Sequence, residues 1–112
     1  MMEGLFTIQE KEAIYSVLCV LVKSDYRLRE PEDRLLSEIA KELDIPEDFK
    51  PIPRGQLKIV VSETLKPMSK EKKREFSRLM TKMARSDGHF GPSERAFVTE
   101  ILDLCEIPFV HR

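Results

Sequence analysis

Residues 82 to 108 read KMARSDGHFGPSERAFVTEILDLCEIP, and residues 20 to 46 read VLVKSDYRLREPEDRLLSEIAKELDIP. The two align without a gap at an offset of 62. Identities fall at Ser24/Ser86, Asp25/Asp87, Glu32/Glu94, Glu38/Glu100, Ile39/Ile101, Ile45/Ile107 and Pro46/Pro108. Other pairs keep their character, among them Lys23/Arg85, Leu28/Phe90, Leu35/Phe97, Leu36/Val98 and Asp44/Glu106. The matches lie on turn residues and on apolar positions, where a fold is specified, so the pattern reads as an internal repeat.

Each copy reads as helix, short turn, helix. Ile14, Val17, Leu18, Leu21 and Val22 recur at helical spacing before the first turn, as do Phe76, Leu79, Met80 and Met83 before the second. After the turns come Leu35, Leu36, Ile39 and Leu43, then Phe97, Val98, Ile101, Leu102 and Cys105. Pro31 and Pro92 sit where a first helical turn tolerates proline, and Pro46 and Pro108 follow the last periodic residue. Between the copies, PEDFKPIPRG (46 to 55) reads as an irregular connector. QLKIVVSETL (56 to 65) is rich in β-branched residues, but with no partner strand it is expected to be helical. Ser69 is placed to cap the basic helix that follows. The expectation is an all-α fold of about five helices: one domain over 1–112, with repeat A at about 13–46, a connector at 47–68 and repeat B at about 75–108.

Composition agrees. A chain of 112 residues suits one domain, and folding would remove roughly two thirds of its unfolded surface from water. Charged residues at 35% against hydrophobic residues at 41% describe a globular chain. The net charge of −1 gives no overall pull toward nucleic acid or membrane. Locally the charge is uneven. Residues 30 to 48 hold eight acidic side chains against Arg34 and Lys41, and residues 66 to 85 hold eight basic ones against Glu71 and Glu75. Two solvated faces that attract each other within the fold are the simpler reading, and a polarised surface that steers a partner is the sharper one. Cys19 and Cys105 lie inside apolar helical patterns and read as buried free thiols in a reducing compartment. The run AIYSVLCVLV (13 to 22) is too short to span a bilayer and follows acidic residues, which is wrong for a secretion signal.

The segment MARSDGHFGPSERAFVTEILDLCEIP resembles the signature of the TerB-like family, the tellurite-resistance protein B group. That signature is an apolar helix ending in small–x–x–Asp–Gly, a polar turn, Ser/Pro–x–Glu, and a helix ending before a short apolar-Pro tail. The likeness is strong over the second copy and looser over the first. A related domain occurs in membrane-anchored J-domain co-chaperones, but this chain has no His-Pro-Asp tripeptide. The resemblance implies an all-α fold with internal pseudo-symmetry, a bacterial cytoplasmic or membrane-associated stress-response setting, and a non-enzymatic accessory module that binds a protein partner, with a homodimer as one form of it. It also implies a divalent cation held by shared acidic residues, here Asp87 and Glu94, with Asp25 and Glu32 as their first-copy equivalents. The first copy departs from the pattern, with Tyr26 for the glycine and Arg27 for His89.

The acidic turn has two readings. Asp87, His89 and Glu94, with carbonyls and water, form a set that suits a weakly held divalent ion. It is not an EF-hand, because that loop's first two carboxylate positions would fall on Met83 and Arg85. In the structural reading, which accounts for more, Gly88 closes one helix in the left-handed conformation, Asp87 accepts turn amides, and Glu94 meets the unpaired N–H groups opening the next. A shared turn conformation would then put Tyr26 at positive φ. No phosphate loop and no nucleophile–base set appears. Arg74, Arg78, Lys82 and Arg85 form a basic stripe at helical spacing, a candidate interaction surface. It lacks the interleaved aromatics of a nucleic-acid platform.

Overall fold

The computed structural model describes residues 6–23, 30–84 and 92–107. Among them are five α-helices and no strand: α1 (Ile8–Lys23), α2 (Glu30–Glu42), α3 (Arg54–Val60), α4 (Lys70–Ala84) and α5 (Pro92–Leu104). A π-helical turn, Val61–Leu65, continues α3. The all-α expectation is met, and the β-branched stretch is helical.

α1 is the central element. Ala13, Ile14, Val17, Leu18 and Leu21 are fully buried, and Cys19 nearly so. A helix apolar on most sides must be surrounded, and α1 touches α2, α3, the π turn, α4 and α5. One core cluster joins the fully buried residues of α1 to Ile39 of α2, Leu43 just after it, Leu57 of α3, Phe76, Leu79, Met80 and Met83 of α4, and Phe97, Val98, Ile101 and Leu102 of α5. Both cysteines are free and buried. Burial pushes the Cys105 thiol up to about 11, against a smaller opposing pull from the Lys73 charge.

Two caps set where the apolar hairpins begin. Thr7 Oγ1 accepts the Glu10 N–H at 3.1 Å, and Glu10 Oε1 accepts the Thr7 N–H at 2.8 Å. This is a capping box, legible in advance as Thr-x-x-Glu. Ser69 Oγ accepts the Lys72 N–H at 3.3 Å, as its position suggested. Both helices therefore start before the apolar pattern does, because their first turns are polar.

Bounds and turns recur at the offset of 62: α1 and α4 begin at residues 8 and 70, and α2 and α5 run 30–42 and 92–104. Each second helix closes on a left-handed non-glycine residue, Asp44 at φ 58° and Glu106 at φ 60°. The Ile45 N–H then reaches the Ala40 carbonyl at 2.9 Å, and the Ile107 N–H reaches the Leu102 carbonyl at 2.8 Å. The Asp44 and Glu106 N–H groups bond the Lys41 and Asp103 carbonyls at 3.1 and 3.0 Å. These are paired bonds of the Schellman type, which satisfy carbonyls that a helix end leaves open.

The connector is tied to α1. Ser16 is fully buried; its hydroxyl donates to the Glu12 carbonyl at 2.8 Å and accepts the Ile52 N–H at 2.9 Å. Phe49 meets Tyr15 edge to face, with centroids 6.1 Å apart. Leu57 of α3 and Val61 and Leu65 of the π turn are buried. Four residues of α-helix overshoot a full turn by about 40°. The wider π turn, closed by the Lys66 N–H on the Val61 carbonyl at 2.9 Å, brings Leu65 back into line.

Candidate functional site

The site begins with the periodicity of α4. Its apolar residues Phe76, Leu79, Met80 and Met83 are fully buried, which turns Lys70, Arg74, Arg78 and Lys82 to solvent. The cations of this face are not equivalent. Arg78 is committed to its own helix: Nε bonds Glu75 Oε1 at 2.7 Å and Nη2 contacts the same oxygen. The Glu75 hydrogen bond raises the Arg78 pKa, burial opposes this, and the charges of Glu75 and, from α2, Glu42 add to the rise. α2 lies against α4, so the acidic and basic segments do meet within the fold at this point. Lys72 is also engaged, with Nζ 2.9 Å from Glu10 Oε1. Lys66 reaches Glu106 at 4.0 Å.

Lys70, Lys73, Arg74 and Lys82 have no carboxylate within ion-pair distance among the described residues. Lys73 is half-buried; the other three are exposed. Of the expected basic stripe, then, Arg74 and Lys82 stand available, Arg78 is tied down, and Arg85 lies outside the described residues. Lys70 and Lys73 join the surface although the stripe did not include them. Their signal in the sequence is a spacing of four, Lys70 from Arg74 and Lys73 from Ser77, which puts them over the first turns of the same helix.

Along α2 and the connector after it, Glu38, Glu42, Asp44, Glu47 and Asp48 are exposed. α3 is fixed to α5 by Arg54 over the Phe97 ring at 5.3 Å from its centroid and by Lys58–Glu100 at 2.9 Å. Surface pairs of this kind contribute about 0–1 kcal/mol and orient more than they stabilise.

Asp25, Asp87, His89 and the turn residues Tyr26 and Gly88 lie outside the described residues. Glu94 is the third residue of α5, the expected N-terminal position, and Glu32 is the third of α2; only their backbone is described. Among the described residues no group of three or more His, Cys, Asp or Glu side chains suits a metal ion. No helix among them is long and apolar enough to cross a membrane. No family profile, curated protein or solved structure matches this chain.

Proposed function

We propose that this chain is a TerB-like, non-enzymatic accessory module of bacterial stress response that works by docking a protein partner on its charged surface. The same reading takes the two hairpins as copies of one unit. The signature-like turn and helix at 82 to 108 support the family. The observation that carries the interaction is the outer face of α4, where Arg74 and Lys82 stand exposed without carboxylate partners among the described residues while the neighbouring Arg78 is neutralised. A solvated helix usually pairs such charges with its own acids at i+3 or i+4, as Arg78 does with Glu75. Cations left unpaired keep a field that steers an acidic surface, either another protein's or the 38–48 face of a second copy.

The test is association of the purified chain with itself and with cross-linked, then purified, candidate partners, at low and high salt. Wild type should associate with one of them, and high salt or R74E/K82E should weaken the complex by about tenfold. Association that ignores both salt and charge reversal would sink the reading.

A further inference from the structure

Two grooves of the molecule are lined by corresponding positions. The first, of about 410 Å³, includes Tyr15 of α1 and Asp44 and Ile45 of the turn after α2. The second, of about 440 Å³, includes Ser77 of α4 and Glu106 and Ile107 of the turn after α5. Each of these three pairs is separated by the offset of 62. In the first groove the chain supplies its own third wall: Pro46, Glu47 and Phe49 line it, with Phe49 against Tyr15 and Ile52 held by Ser16. The second groove is lined by α4 and the turn after α5, with no third segment among the described residues. Where the first has Tyr15, the second has the smaller Ser77, and its α4 side carries Lys70, Lys73 and Arg74.

We infer that the second groove is the docking site for an acidic segment of a partner protein, one that lies across it as residues 46–52 lie along the first. The inference rests on the interaction reading above and names the partner's chemistry. Charge complementarity carries it. Three cations, none with a carboxylate in ion-pair distance among the described residues, face one acid, Glu106, which Lys66 approaches at 4.0 Å. Lys73 is half-buried there, close enough to the buried Cys105 thiol for its charge to act on it. A partly desolvated cation gains more from a carboxylate than an exposed one does. Half-buried Ile107 supplies an apolar contact, and Ser77 in place of Tyr15 leaves room for an aromatic or aliphatic anchor from the partner.

The chain's own connector supplies a probe. The peptide IPEDFKPIP, residues 45 to 53, is titrated into the full chain labelled with ¹⁵N, followed by amide shifts. Its neutral form IPQNFKPIP is the control. The expected result is saturable shifts at Lys70, Lys73, Arg74, Ser77 and Ile107, with the neutral peptide binding about tenfold more weakly. K70E/K73E should abolish the shifts, and K70Q/K73Q should weaken them should the reversal disturb folding. Shifts centred elsewhere, no saturable shift, or equal binding of the neutral peptide would overturn the docking site. So would binding that appears only when the chain is cut after Ile107, because its own last residues would then be the occupant. A partner lost from K82E, outside the groove, yet retained by K70E/K73E would refute the groove and leave the interaction reading standing. No salt-sensitive partner for wild type would remove that reading itself.

Discussion

Glu10 is nearly buried and still charged, and its surroundings explain how. Burial alone would raise its pKa; the Lys72 hydrogen bond, the Thr7 amide, the Lys72 charge and the Thr7 hydroxyl together pull it below its ordinary value of 4.5. A carboxylate with a depressed folded pKa stabilises the fold above its unfolded pKa and loses that contribution as pH falls through the folded value. Wild type should therefore lose stability below about pH 4.5 more steeply than E10Q. At neutral pH, E10Q keeps an amide oxygen as the box acceptor but loses the ion pair with Lys72, and should be less stable by about 0.5–1 kcal/mol. Denaturant melts from neutral pH down to pH 3 check both, and parallel pH curves for the two proteins would show that Glu10 is not the titrating group. Asp44 and Glu106 matter for backbone rather than charge. Both occupy the left-handed region that a side chain enters at a cost, which aspartate tolerates better than glutamate. E106G should raise stability by about 0.5–1 kcal/mol, and D44G by less. An unchanged or lower denaturation midpoint for E106G would mean that the Lys66 contact outweighs the strain.

At the scale of elements, the helices were legible because their periodicity was. The apolar faces of α4 and α5 were read residue by residue, and their burial follows that reading. Ser69 marked the start of α4 in advance, whereas the start of α1 was missed, hidden behind its first turn although Thr7 announces the cap. The π turn left no sign, since Val61 and Leu65 keep an ordinary spacing and only the Lys66 N–H on the Val61 carbonyl reveals the wider turn. The Asp87–Glu94 turn belongs to this scale too, as a joint between helices. With Glu94 at the third position of α5, the helix-tie reading makes a definite claim. Asp87→Ala/Glu94→Ala should be destabilised in EDTA by about 1–2 kcal/mol, and Ca²⁺, Mg²⁺, Mn²⁺ or Zn²⁺ should leave the wild-type melting temperature where it was. A metal-dependent rise in wild type that the double variant lacks would instead make the turn a cation site, because a ligand of the native state raises the melting temperature by mass action.

Across the whole molecule the site was less legible than the fold. A basic stripe can be counted in a sequence, but which of its charges are already spent cannot. Arg78 and Arg74 look alike until Glu75 is seen to hold one of them, and Lys73 gains its place only when α5 brings Ile107 beside it. The Glu10–Lys72 pair carries a consequence of this kind. Glu10 Oε1 both closes the cap at the head of α1 and holds Lys72 in the first turn of α4. The two helix starts thus hang on one oxygen, and protonating it should loosen both together, so that amides at the heads of α1 and α4 lose exchange protection over the same pH range.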